Sequence, residues 1–131
     1  MNNENPAYPD ADKTICIDFD GVIHNSYSGY KDGTCYGDMV PGADTALEAI
    51  ASLYKVVVLT VKARPDRPLI GGKTGKVLVA EWLEKHKLMQ YVSEITSLKP
   101  AAKYYIDDKG ITFKQNWPEI LYAVILERFN K

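Results

Sequence analysis

Residues 14–21 read TICIDFDG, and the fold follows from how this stretch is read. Residues 14–19 form a short apolar, β-branched run, the composition of a strand buried on both faces in a parallel sheet rather than of an alternating surface strand. It stops at Asp20-Gly21. Asp18 and Asp20 are two residues apart, so in extended chain their carboxylates leave on the same side, and Gly21 lets the backbone turn sharply away. Further along, residues 55–60 (KVVVLT) repeat the pattern, a β-branched strand closed by Thr60. Residues 103–106 (KYYI) form another strand, which delivers Asp107 and Asp108, and residues 92–96 can supply one more.

Helical spacing fills the intervals. Ala43, Ala46, Leu47, Ile50 and Leu53 recur every three to four residues, which predicts a helix over about 43–53, entered through Pro41-Gly42. Val79, Trp82, Leu83 and His86 predict a second over about 74–87. Ile120, Leu121, Val124, Ile125 and Phe129 give a terminal helix its apolar face, with Asn116 and Glu119 spaced as a capping box. Between Gly21 and Gly42, the tyrosines Tyr27, Tyr30 and Tyr36 and a turn at Lys31-Asp32-Gly33 read as a small β-flap. Strands alternating with helices predict an α/β fold, a central parallel sheet with helices on both faces.

The chain has 131 residues, 46% hydrophobic and 25% charged, which suits one domain over residues 13–131 behind a flexible leader, 1–12. A net charge of -1 removes the basic field that general nucleic-acid or acidic-membrane binding would use. Two cysteines, Cys16 and Cys35, are too few for a disulfide scaffold and read as reduced thiols of a cytoplasmic protein. No apolar stretch approaches the roughly 20 residues of a membrane helix, and the leader lacks the apolar segment of a signal peptide. No membrane partner is expected, and a homo-oligomer stays open.

Polar residues end three strands at one edge: Asp18 and Asp20, Thr60, then Asp107 and Asp108. Ligands of open α/β sheets bind outside that edge. Any one of these acids could be a turn former, but four converging carboxylates need a cation or donors to compensate them, and hard oxygen ligands point to Mg²⁺.

These residues resemble the haloacid dehalogenase superfamily. Residues 15–22 (ICIDFDGV) are similar to its first motif, residues 56–60 to its second, Lys99-Pro100 to its third and residues 104–108 (YYIDD) to its fourth, in the family's order. The resemblance implies a three-layer Rossmann-like fold and a Mg²⁺-dependent phosphohydrolase that works through an aspartyl-phosphate. Asp18 would be the nucleophile and Asp20 the general acid, then base, with a carboxyl lifted by its acidic neighbours. Asp18, the Asp20 carbonyl, Asp107 and Asp108 would hold Mg²⁺. Thr60 and Lys99 would bind the phosphoryl oxygens, Lys103 competing with Lys99 for that role although it opens a strand and so starts at the opposite edge. Neither point at which larger members insert a cap domain has room for one. Such an open site suits a phosphorylated small molecule or an exposed phosphoester of a macromolecule.

Weaker features surround this set. His24 follows the first turn and, with Arg64 and Arg67 of a basic loop that also carries Lys62, Lys73 and Lys76, is a candidate substrate contact. Gly72-Lys73-Thr74 echoes a phosphate-binding loop, but Arg67 stands where that motif needs its first glycine. A phospho-acceptor domain, or a catalytically idle binding domain on the same fold, is the rival reading. Receiver domains use similar residues in a different chain order.

Overall fold

The computed structural model of the chain describes residues 11–26, 33–107 and 117–129. Strands β1 (Thr14–Asp18), β2 (Lys55–Leu59), β3 (Glu94–Thr96) and β4 (Tyr104–Ile106) pair in parallel in the order β3-β2-β1-β4. Helices α1 (Ala43–Ala51), α2 (Gly75–Lys85) and α3 (Trp117–Phe129) complete an α/β fold. Among the described residues no helix is long and apolar enough to cross a membrane.

Val56, Val57 and Val58 of β2 are all buried, as a continuous β-branched run requires. Entry to α1 is through Gly42 at φ 90°, a left-handed turn that glycine takes without strain. The helix stops two residues short of Leu53, because Ser52 closes it, its N–H bonding Glu48 O and its hydroxyl donating to Ala49 O. The Thr74 hydroxyl accepts the Val77 N–H at 3.2 Å and caps α2. Residues 1–10, Lys31 and Asp32 of the expected flap turn, and Asn116 with the Glu119 side chain of the expected capping box lie outside the described residues.

Side chains alternate along the strands, giving the sheet two faces. Ile15, Ile17, Val56, Val58, Ile95 and Ile106 share one, where they form a single apolar core with Leu47 and Ile50 of α1, Val79 and Leu83 of α2, and Ile120 and Val124 of α3. Cys16 and Val57, register partners on the other face, are also buried but stand outside that core. The described helices therefore pack on one face, which corrects the expectation of helices on both.

The cause is the β3–β4 connection. It must cross β2 and β1, about 14 Å at ordinary strand spacing, and return to the start of β4, using only residues 97–103. At about 3.3 Å per residue such a segment covers this path only when extended; coiled as a helix it would reach roughly 10 Å. A right-handed crossover in this direction passes over the face opposite α1 and α2. Tyr105 pairs with Cys16 and meets the segment there: its hydroxyl donates to Pro100 O and accepts the Ala102 N–H, and the Lys99 ammonium lies 4.3 Å from its ring centroid.

On the helical side, α2 starts hard against the turn that follows β2. A Cβ on Gly75 would fall 1.7 Å from the Lys62 carbonyl oxygen. Gly75→Ala is expected to cost about 1–3 kcal/mol by forcing the helix start away, whereas Lys76→Ala, at an exposed position, stays within about 0.5 kcal/mol. Denaturant midpoints measure both, and an unchanged midpoint for Gly75→Ala would show that this close approach does not constrain the fold.

Candidate functional site

Chain direction across the sheet reverses at β1. From β1 the chain steps through β2 to β3, then jumps back to place β4 on the other side of β1. Open α/β sheets bind ligands outside the C-terminal ends of the strands at such a reversal. Ile17 pairs with Ile106, so Asp18, the last residue of β1, and Asp107, the first residue after β4, both follow this paired position, and Asp18 also pairs with Leu59, the residue before Thr60. The two acids act together on Cys16, two residues below Asp18. Burial pushes its thiol up to about 12, the Asp107 and Asp18 charges add to the rise, and Lys99 opposes it. Cys16 is a neutral, packed thiol. Lys99 thus acts on the same corner from the Tyr105 face, although its side chain is exposed over that ring. Lys103 sits at the far end of the sheet, where its N–H bonds Thr14 O.

Beyond β1 the chain folds back on itself. The N–H groups of Ile23 and His24 both bond Phe19 O at 2.9 Å, with Gly21 at φ 85° making the turn. This brings the Asp20 carboxylate to the end of β2. Its Oδ2 accepts from the Thr60 hydroxyl at 3.0 Å, and its Oδ1 from the Lys62 ammonium at 2.6 Å and the Ser26 hydroxyl at 3.2 Å. His24 Nδ1 lies 3.3 Å from the same Oδ1. The Lys62 side chain is 1% exposed and that of Asp20 26%.

Lys62 reaches this position because Thr60 ends β2 and opens a 3-10 turn over Val61–Ala63, its hydroxyl accepting the Lys62 N–H while donating to Asp20. Burial alone would raise the Asp20 carboxyl. Hydrogen bonds from His24 and Lys62, the Lys62 charge and the Thr60 hydroxyl outweigh it and hold the group down at about 2. The expected lift by acidic neighbours is therefore corrected: donors surround this carboxylate.

The other candidates separate clearly. His24 is completely buried, with Nδ1 facing the Asp20 carboxylate. Arg64 is paired with Asp66 through two hydrogen bonds of 3.1 and 2.7 Å, and with Arg67 it lines a small cleft beside Thr74 and Lys76. Lys73 is bound to Glu81, and Gly71 and Gly72 form a tight turn before α2, so the glycine-lysine-threonine echo is a helix entry. Asp108, Tyr27 and Tyr30 lie outside the described residues. Lys62 is the residue whose role the sequence concealed. It reads as one charge of a basic loop, and the only signal was its position two residues after the strand-ending Thr60.

Among the described residues no group of three His, Cys, Asp or Glu side chains could hold a metal. Two carboxylates on neighbouring strand ends nevertheless suit Mg²⁺, which keeps several waters and commonly takes only one or two carboxylates from a protein. Compared with family models, with curated proteins and with solved structures, the chain matches none.

Asp20 has a thermodynamic signature. A carboxyl lowered from 3.8 to about 2 stabilises the fold above its unfolded value, and that contribution, about 2 kcal/mol, is lost as pH falls toward 2. In the metal-free protein at pH 7, Asp20→Ala is expected to cost about 3–5 kcal/mol, because it leaves the buried Lys62 ammonium without that carboxylate. Lys62→Met should cost less than half as much, since the partly exposed carboxylate keeps hydroxyl and imidazole partners. Chemical denaturation at pH 7 and pH 3 reads both, with the Asp20→Ala penalty shrinking at pH 3. Equal penalties for the two variants, or one independent of pH, would show that the pair does not anchor this turn.

Proposed function

We propose that the chain is a Mg²⁺-dependent phosphohydrolase of haloacid dehalogenase type that acts through an aspartyl-phosphate. One observation carries the reading: the sheet order brings Asp18 and Asp107 to the ends of neighbouring strands at the reversal point, while Thr60, at the end of β2, is bonded to Asp20. In this reading the family's three-layer fold is reduced. The helical layer on the second face gives way to the extended crossover at residues 97–103. The absence of a second domain among residues 33–107 supports a capless member, whose substrate is a phosphorylated small molecule or an exposed phosphoester of a macromolecule.

Asp18 attacks phosphorus in line, so that one difficult displacement becomes two easier ones. Thr60 and Lys99 hold the phosphoryl oxygens. Asp18, the Asp20 carbonyl, Asp107 and Asp108 would hold Mg²⁺, whose charge would offset the repulsion between nucleophile and phosphoryl group. Asp20 protonates the leaving oxygen and later removes a proton from water. The ionised carboxylate of the free chain is ready for the second task. For the first it must take up a proton from solvent, and loss of the Thr60 hydroxyl to the phosphoryl group removes only the smallest of the contributions that hold it ionised, so the protonated form also requires the His24 and Lys62 contacts to loosen.

A phospho-acceptor domain of the receiver kind fits less well. Its flavodoxin-like order, 2-1-3-4-5, puts strand three beside strand one, whereas here β4 takes that place and β3 lies beyond β2.

Hydrolysis of an aryl phosphate tests the proposal. EDTA is expected to abolish turnover, Mg²⁺ to restore it, and Ca²⁺ to bind without supporting it, because its larger, looser shell misplaces the in-line geometry. Asp18→Asn should remove activity while leaving the melting temperature unchanged. Activity that survives chelator would sink the metal assignment, and a variant within about tenfold of wild type would remove Asp18 as the nucleophile.

A further inference from the structure

We infer that His24 is the positioning residue for the Asp20 carboxylate, acting through a tautomer fixed by the main chain of the flap. The imidazole is completely buried in an aromatic box. The Phe19 ring stacks on it at 5.1 Å and 7°, and Tyr36 and Trp82 meet it edge-on at 5.3 and 5.4 Å. The Gly37 N–H donates to Nε2 at 2.8 Å. A ring nitrogen that accepts this bond carries no proton, so the proton of the neutral imidazole is on Nδ1. That N–H is directed between Asp20 Oδ1, at 3.3 Å, and Ser26 Oγ, at 3.0 Å, and the Ser26 hydroxyl donates to the same Asp20 oxygen.

Gly37 can impose the tautomer because its peptide is anchored by Trp82 and packed against Asn25. The Trp82 indole N–H donates to its carbonyl at 2.9 Å, and a Cβ at this position would fall 1.9 Å from Asn25 O. Bonds from Asn25 N–H to Asp38 O and from Val40 N–H to Ile23 O join the two sides of the flap base. A rigid chain of contacts therefore runs from Trp82 on α2, through the Gly37 peptide and the imidazole, to Asp20. Thr60 and Lys62 grip the carboxylate from the end of β2, and His24 sets its orientation from the flap. His24 touches no substrate. The kinetic part of the test rests on the proposed phosphohydrolase activity, and the spectroscopic part does not.

Two-dimensional ¹H–¹⁵N NMR of the imidazole in the full-length protein is expected to show Nδ1 protonated and Nε2 bare. The Nε2–H tautomer would overturn the inference, whatever the protein hydrolyses. His24→Phe, which keeps the ring stack, should shift the Asp20 ¹³Cγ resonance, and His24→Asn, whose amide can supply a donor near the Nδ1 position, should return it toward wild type. An Asp20 resonance unmoved in His24→Phe would overturn the positioning role. Where aryl phosphate is hydrolysed, His24→Phe should lower kcat for a poor alkyl leaving group about tenfold and for p-nitrophenyl phosphate less than about threefold, since only the former depends on a well-placed general acid. Equal losses for both substrates, without rescue by His24→Asn, would reduce His24 to a packing residue. If wild type hydrolyses no phosphoester, the phosphohydrolase reading fails and the two NMR results alone decide the inference. Variants that do not fold leave the wild-type tautomer to decide it.

Discussion

The buried ammonium of Lys62 imposes the constraint that organises the functional edge of this protein. A charge with 1% exposure is tolerable only with a close, hydrogen-bonded counter-charge, and Asp20 supplies it at 2.6 Å. Meeting that requirement draws three segments together. The turn after β1 must fold back to bring in Asp20, the turn after β2 must coil at once to bring in Lys62, and α2 must begin at a glycine so that the Lys62 carbonyl can pass close by. Thr60 links the first two, capping one turn while bonding the acid of the other.

The same contacts settle the chemical state of the edge. Asp18 and Asp107 each follow a paired residue of the two neighbouring strands, while Asp20 is held ionised by hydroxyl, ammonium and imidazole. The proposed mechanism divides these carboxylates between a pair that would hold a hard cation and a single group that would move the proton. Under the proposed mechanism that division is what the two half-reactions need, and it is set by neighbours rather than by the acids themselves.

A second constraint is the length of chain between β3 and β4. Residues 97–103 can cross the sheet only in extended form, so this segment meets Tyr105 on one face while the opposite face carries the described helices. Lys99 rides on this segment. The crossing therefore determines which face the lysine approaches from, and its short reach accounts for the close spacing of Lys99 and Asp107 along the chain.

Much of this was written in local pattern. The β-branched runs of β1 and β2, the three-to-four spacing of α1 and α2, and polar residues closing the strands are properties of adjacent residues, and they were enough to establish an α/β fold with acids gathered at one edge. Sheet order, the placing of the described helices on one face, the burial of Lys62 and the service of His24 to Asp20 were not written there. Each depends on partners far apart in sequence: Lys62 meets Asp20 across 42 residues, and Trp82 meets Gly37 across 45. Periodicity reports what a residue's neighbours in the chain are. Whether a lysine in a basic loop is solvated or sealed against a carboxylate depends on what packs over it, and only the assembled tertiary structure decides that.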